Sequence, residues 1–370
     1  MIDAFLVDDE EPARERLRRL LSELDGIRVV GEAADGEEAL REIPRHRPDL
    51  VFLDIQMPGR SGMEVASALP PPRPRVIFCT AFDQYAIQAF EHHAVDYLLK
   101  PLNRERLAAA VGRVRDSLET TGRMARELAS ASEAQARLYP DLVRLETLEV
   151  SGSCRSSREV GGDYYDFLPL GRGRLGIAVG DVSGKGIFAG LLMAGLQGRL
   201  QTMAVRYGDD LPALFSELNR AMHASTDANR YATLFYGVYE EPSRRLTYVN
   251  AGHPAPLLLR RAAGGAPGWD PPEALAPTGT VVGLLPEARY EARSLHLCPG
   301  DLLLAFSDGL VEAGGEEGPE FGPAALADSV RGLQEAGAAA IRERILEEER
   351  RFRSDRKGED DLTLVVARVR

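Results

Sequence analysis

Over its first 118 residues the chain alternates short apolar runs with amphipathic stretches of helical length, and no other feature of the sequence restricts the fold as much. The runs "AFLVDDE", "IRVVGEA", "DLVFLDI", "RVIFCTA" and "AVDYLLKP" are interleaved with "PARERLRRLLSEL" and "GEEALREIPRH", and "RERLAAAVGRV" follows the last of them. Strands alternating with helices predict an α/β fold with a parallel sheet covered on both faces. In open sheets of this kind, chemistry collects at the carboxyl ends of the strands. Four of the runs end there in Asp8-Asp9, Asp54, Thr80 and Lys100. A single Asp in a loop is usually a solvated surface residue. Three carboxylates, a hydroxyl and an ammonium converging on adjacent strand ends are a chemical constellation. Lys100 is one of only three lysines, with Lys185 and Lys357, among 45 basic residues. A lysine kept against such a bias marks a place where a compact ammonium is needed and a guanidinium will not serve.

This set, at these spacings, resembles the response-regulator receiver domain over residues 1–118. The resemblance implies a doubly wound, flavodoxin-like fold on a five-stranded parallel sheet. It makes Asp54 the phosphoacceptor and places Mg²⁺ on Asp8, Asp9, Asp54 and the Gln56 carbonyl. Lys100 pairs with the phosphoryl group, Thr80 is the switch hydroxyl, and Tyr97 is the aromatic that reports the state. Lys100 is followed by Pro101, where receivers usually carry a cis peptide. The physics agrees with these roles: hard oxygen ligands suit Mg²⁺, and phosphorylation adds about −1.5 to −2 charges, enough to draw a hydroxyl and an ammonium inward. The stretch "TAFDQYAIQAFEHHAVDYLLKPL" is similar to receivers joined to DNA-binding outputs, yet no such output follows it.

From Leu107 the chain runs through Val111, Val114, Leu118, Thr121, Ala125, Leu128, Ser132 and Gln135 in alternating steps of four and three. That heptad pattern predicts a helical coiled-coil linker over 119–139 that continues the receiver's last helix and pairs two copies in parallel. A single solvated helix is the alternative reading.

Beyond Tyr139-Pro140 the texture changes to short strand-like runs broken by Gly and Pro, with three helical stretches between them, which predicts an α+β sandwich over 140–370. The segment "AVGDVSGKGIFAG" invites a phosphate-loop reading. It fails, because three residues rather than four separate Gly180 from Gly184, and Gly186 stands where a hydroxyl is required. Aspartates sit instead at strand boundaries: Asp163 in "EVGGDYYDF", Asp181 after "LGIAVG", Asp308 after "LLLAFS", and Asp360-Asp361 before "LTLVVARV". Such carboxylates, if brought together, need cations to stay ionised. All-oxygen coordination selects Mg²⁺ or Mn²⁺ over zinc, and two such ions suit in-line attack on a phosphoryl group.

The order "EVGGDYYDF", "GDVSGKG", "NAGHP", "SDGLVEA", "DDLTLVV", preceded by "QARLYP", resembles the bacterial branch of the PPM-type metal-dependent serine/threonine phosphatases, the sigma-factor-regulator class that includes SpoIIE. The resemblance implies a PPM-type β-sandwich flanked by helices and two Mg²⁺ or Mn²⁺ ions. Asp181 bridges both, Asp163 and the Val182 carbonyl complete one site, and Asp308 and Asp360 complete the other. Ser183 stands where the eukaryotic branch has a histidine proposed as general acid. Arg158 is read as a phosphate anchor or a surface arginine, His253 as a turn histidine, and Lys185 as a substrate contact or a loop support.

A formal charge of −12 opposes nucleic-acid and anionic-membrane partners. No apolar run reaches the ~20 residues of a membrane span, and Cys79, Cys154 and Cys298 lack the spacing of a disulfide framework or zinc site, which fits a cytoplasmic protein with reduced thiols. The expectation is a homodimeric two-component response regulator with a serine/threonine phosphatase output. Its expected partners are an upstream histidine kinase and a phosphorylated protein substrate of the anti-anti-sigma factor class. The rival expectation is a phosphorylation-dependent binding adaptor with an inactive phosphatase-like domain.

Overall fold

The computed structural model describes residues 1–81, 94–227, 229–262, 268–313, 320–353 and 360–370. The quoted receiver stretch from Phe82 to His93 lies outside them. The chain divides into two compact units, Met1–Arg126 and Glu127–Arg370.

In the first unit, β1 (Ile2–Val7), β2 (Ile27–Ala33), β3 (Leu50–Asp54), β4 (Arg75–Thr80) and β5 (Asp96–Leu99) form one parallel sheet in the order β2-β1-β3-β4-β5. This is the flavodoxin-like order, with its switch point between β1 and β3. Side chains alternate across the strands. Ala4, Leu6, Phe52 and Ile77 face one core, shared with Leu17 and Leu21 of helix Glu11–Ser22. Phe5, Val7, Leu53 and Phe78 face the other, shared with Ala39 and Ile43 of helix Gly36–His46. Local chemistry starts the helices where the sheet needs them. The Asp35 side chain accepts from the Glu38 N–H, and Ser61 and Glu64 form a reciprocal capping box that opens helix Gly62–Ala68 directly after the Asp54 turn.

Helix Arg104–Ala136 runs unbroken for 33 residues. The heptad positions are not used alike along it. Leu107, Val111 and Val114 are buried in the receiver core against Leu98 and Leu102, so they are not available as a seam for a second helix. Thr121 and Ala125 are exposed, and Gln135 is buried again.

The second unit is a sandwich of two antiparallel sheets. One has the order β14-β11-β10-β9-β8, built from β8 (Asp163–Gly171), β9 (Arg174–Val182), β10 (Ala232–Glu240), β11 (Arg245–Ala251) and β14 (Arg293–His296). The other has the order β13-β12-β15-β16-β7-β6, built from β6 (Leu142–Arg144), β7 (Leu148–Arg155), β12 (Leu257–Leu259), β13 (Glu273–Ala274), β15 (Leu302–Phe306) and β16 (Leu362–Val369). Apolar residues occupy both faces of the central strands, because each sheet is covered twice. Val365 and Ala367 of β16 and Ile177 and Val179 of β9 meet between the sheets. Leu364 and Val366 face helices Gly322–Ser329 and Ala338–Arg353, while Ala178 and Val182 face helices Ile187–Tyr207 and Leu211–His223. The α+β sandwich flanked by helices is therefore present in four layers.

Helix Asp308–Val311 sits so close to the start of β16 that a Cβ on Gly309 would lie 2.0 Å from the Asp361 carbonyl oxygen. Backbone cannot move aside as a side chain can. Gly309→Ala is expected to cost about 1–3 kcal/mol of this unit's stability. Chemical denaturation checks it, and an unchanged midpoint would show that the contact relaxes freely.

Candidate functional sites

At the carboxyl edge of the parallel sheet, Asp8 and Asp54 are buried at 6% and 5% exposure, while Asp9 is exposed. Their ligand oxygens all lie within 4.8 Å of one another. Lys100 Nζ reaches Asp8 Oδ2 at 2.7 Å and Asp54 Oδ2 at 2.6 Å. The Gln56 N–H donates to Asp54 Oδ1 at 3.2 Å. Burial pushes the Asp54 carboxyl above its ordinary value, and the Lys100 hydrogen bond pulls it only part of the way back. For Lys100, burial favours the neutral amine, but the bonds to Asp54 and Asp8 outweigh it and raise its pKa. The pair thus holds one ammonium against two carboxylates, leaving net negative charge where a hard cation fits the donor set. The Thr80 hydroxyl is fully buried, and its oxygen has no hydrogen-bond partner among the described residues. Such an atom costs free energy until something arrives to bond it. Tyr97 is buried in the core beneath this edge, and the Lys100-Pro101 peptide is cis.

The second cluster lies where both sheets of the sandwich end. Strand register sets Asp163 on β8 directly opposite Asp181 on β9, with Thr233 of β10 on the far side of Asp181. Like charges facing each other across a strand pair are unfavourable. Burial and then the Asp181 charge raise the Asp163 pKa well above its ordinary value. Asp181 is pushed up to about 7 by burial and then by Asp308, Asp360 and Asp361. Asp308 is raised by burial and then by Asp360. In the second sheet, β15 delivers Asp308 and the entry to β16 delivers Asp360. No three of these ligand atoms lie within 4.8 Å of one another among the described residues. They nonetheless share one electrostatic site, whose donor set is all oxygen and suits Mg²⁺ or Mn²⁺.

Asp360 and Asp361 differ in what they hold. The Asp361 carboxylate accepts from the Ser157 N–H at 2.7 Å, the Ser157 hydroxyl at 3.0 Å and the Gly162 N–H at 2.8 Å. Its lone pairs are spent on fixing the loop before Asp163. Asp360 is exposed and meets Lys185 Nζ at 3.3 Å. Ser183 is a tie: its hydroxyl accepts from the Tyr231 N–H at 3.0 Å, and its own N–H donates to the Tyr231 carbonyl at 2.9 Å. His253 is buried and bonded to the Thr233 hydroxyl at 2.9 Å, and burial lowers its pKa to about 3. It is a neutral structural group near pH 7. Arg158 lies exposed on the loop that Asp361 braces.

Ser307 escaped the sequence reading. Fully buried, it donates to Asp163 Oδ2 at 2.7 Å and accepts from the Thr363 N–H at 2.8 Å, so it joins the end of one sheet to the aspartate of the other. It precedes Asp308 in "SDG", where turn chemistry is the ordinary explanation for a serine.

A phosphoacceptor-type carboxylate edge followed by an aspartate-lined sandwich defines a class of protein, a receiver joined to a phosphatase fold. Comparison with known proteins agrees. Residues 4–112 match the response regulator receiver domain, and residues 171–370, more than half of the chain, match Stage II sporulation protein E (SpoIIE). The chain belongs to the SpoIIE family. It is similar to the RsbU and RsbW domains of a Mycobacterium tuberculosis protein, with 26% identity and a TM-score of 0.51 over 63% of this chain and 62% of that one. The SiaA-PP2C domain of Pseudomonas aeruginosa shares the fold, with a TM-score of 0.55 at 19% identity over 67% of this chain and 98% of that one. In the receiver, an uncharacterized response regulatory protein of Yersinia pestis is 53% identical over 115 residues, 31% of this chain and 48% of its own. The transcriptional regulatory protein BtsR of Escherichia coli (strain K12) is 50% identical over 116 residues, with the same coverage of 31% and 48%. The chain spans about half the length of these curated relatives.

The crowding of carboxylates has a measurable consequence. Because the folded-state pKa of Asp181 lies above its unfolded value, the folded protein holds a proton that the unfolded chain has released. Metal-free stability therefore falls as pH rises from the ordinary 3.8 toward about 7. Asp181→Asn removes that penalty. In EDTA at pH 8 the variant is expected to melt about 2–4 °C above wild type, the shift that ~1 kcal/mol produces in a domain of this size. The difference should vanish near pH 4, and Mn²⁺ should raise the Tm of wild type far more than that of the variant. Calorimetry checks both, and a lower Tm for the variant at pH 8 would contradict the electrostatic account.

Proposed function

We propose that this chain is a two-component response regulator in which phosphorylation of Asp54 controls Mg²⁺- or Mn²⁺-dependent hydrolysis of phosphoserine or phosphothreonine on a partner protein. The observation that carries the reading is the convergence of Asp163, Asp181, Asp308 and Asp360 in one electrostatic site at the mouth of a phosphatase fold. A protein-binding module has no physical reason to keep buried acids that repel one another.

In the receiver, Asp8, Asp9, Asp54 and the Gln56 carbonyl would hold Mg²⁺, and Lys100 balances charge on Asp54. An acyl phosphate on Asp54 gives an acceptor to the Lys100 ammonium and to the Thr80 hydroxyl, which has no partner among the described residues, and this favours the state in which both turn inward. Tyr97 is the aromatic whose placement follows Thr80. In the phosphatase, Asp181 would bridge two ions, with Asp163 and the Val182 carbonyl on one and Asp308 and Asp360 on the other. Divalent ions bound there supply charge neutralisation of the phosphoryl group and an activated water. Ser307 orients Asp163 through its hydroxyl, and Lys185, paired with Asp360, offers an ammonium to an incoming phosphate. His253, buried and neutral, and Ser183, tied to Tyr231, are poorly placed to serve as a dedicated acid.

The partners that follow are a histidine kinase upstream and a phosphorylated protein of the anti-anti-sigma class downstream, with two copies of the chain pairing through the linker helix in the cytoplasm. The substrate class rests on analogy with the bacterial phosphatases that the chain resembles.

The test is Mn²⁺-dependent phosphate release from a phosphoserine protein and from p-nitrophenyl phosphate by the full chain. Asp181→Asn is expected to lose at least ~10²-fold in kcat, the scale of removing one electrostatic group from a transition state. Equal rates would sink the catalytic reading in favour of an adaptor. Treatment with a small phosphodonor is expected to change the rate of wild type and not of Asp54→Asn, and a matching response in both would remove the control hypothesis.

A further inference from the structure

We propose that Gln135 and Tyr139, at and just beyond the end of helix Arg104–Ala136, are positioning residues for the Asp163 ligand. The proposal rests on the reading that the aspartates hold divalent ions. Gln135 is 7% exposed, and its amide is used at both ends on one residue. Its Nε2 donates to the Gly161 carbonyl at 2.8 Å, and its Oε1 accepts from the Gly161 N–H at 3.0 Å. Four residues on, the Tyr139 hydroxyl donates to the carbonyl of Asp163 itself at 2.8 Å. Its ring is stacked on Tyr165, with centroids 5.1 Å apart and planes 11° from parallel. The Leu138 carbonyl between them is held by Gln197 at 3.2 Å.

The held segment has little freedom to answer any other way. A Cβ on Gly161 would lie 2.4 Å from Asp361 Oδ2 and 2.5 Å from Ser156 Oγ, and one on Gly162 would lie 2.7 Å from the Val182 carbonyl oxygen. Asp361 grips the Gly162 N–H on one side, and Gln135 grips Gly161 on the other. The two glycines let the backbone thread between them, and Asp163 is the next residue. Loss of a group that orients a metal ligand through hydrogen bonds typically weakens metal affinity by about 10–100-fold. Gln135 and Tyr139 touch neither substrate nor ligand oxygen, so their action is on where Asp163 stands. The same helix begins at Arg104, within the receiver match at 4–112.

The experiment is calorimetric titration of Mn²⁺ into the full chain carrying Asp9→Asn and Asp54→Asn, which silence the receiver cluster. In that background Gln135→Leu is expected to weaken Mn²⁺ binding ~10–100-fold, the range for loss of a ligand-orienting partner. Tyr139→Phe, which keeps the stacked ring and loses one hydrogen bond, is expected to weaken it by about 3–10-fold on the same grounds. Asn219→Leu is the control, since Asn219 is an equally buried amide that bonds Gly283, Leu285 and Pro286 instead. It should lower Tm without moving Mn²⁺ affinity. Parental affinity in both Gln135→Leu and Tyr139→Phe, or an equal loss in Asn219→Leu, overturns the proposal. Should Gln135→Leu fail to fold, Tyr139→Phe decides alone. Because the titration contains no substrate, a chain that binds Mn²⁺ and hydrolyses nothing sinks the phosphatase reading while leaving this one standing.

Discussion

The second unit is organised around one unfavourable contact, the facing of Asp163 and Asp181 across adjacent strands. A register shift of one residue would separate them and would also turn every core side chain of β8 and β9 to the wrong face. The hydrophobic alternation that builds the two cores therefore also enforces the repulsion. The surroundings manage that cost without removing it. Ser307 gives Asp163 one donor, Asp361 turns its own charge into backbone hydrogen bonds, and Lys185 stands against Asp360. None of these neutralises Asp181, which is left with burial and three neighbouring carboxylates. Its donor set is all oxygen, which suits a hard cation.

The receiver meets the same problem with a different answer. Asp8 and Asp54 are buried, yet Lys100 is bonded to both within 2.7 Å. One internal ammonium makes the metal-free edge tolerable while leaving a negative balance for a hard ion. The two sites therefore differ in the groups they present. The receiver edge has a lysine already in place and a threonine hydroxyl with no hydrogen-bond partner among the described residues. The sandwich site has carboxylates and, among the described residues, one partly exposed lysine.

Most of the fold was legible in the sequence, for a physical reason. Both units are two-sided sheets, and period-2 alternation within short apolar runs, broken by Gly and helical stretches, is the signal such sheets leave. The aspartates were legible because they sit at the ends of those runs. Residues whose role depends on contacts between distant segments left no comparable trace. Ser307 acts on a residue 144 positions away, and nothing in "SDG" distinguishes it from a turn serine. The difference between Asp360 and Asp361 is a matter of which donors surround each, and those donors come from residues 157–162.

The linker helix shows how one periodicity can serve different partners along its length. Steps of four and three keep side chains on one face of a helix whatever that face meets. Along Arg104–Ala136 the face meets different things. Leu107, Val111 and Val114 pack into the receiver sheet, Thr121 and Ala125 face solvent, and Gln135 closes on the backbone of Gly161. The polar members that made the second half of the heptad look weak are where the helix stops being a packing element. A glutamine is a poor seam residue in a coiled coil. It is well suited to Gly161, because its amide can donate to a carbonyl and accept from an N–H on the same residue. What read as decay of a coiled-coil signal is, at its last position, a change of partner.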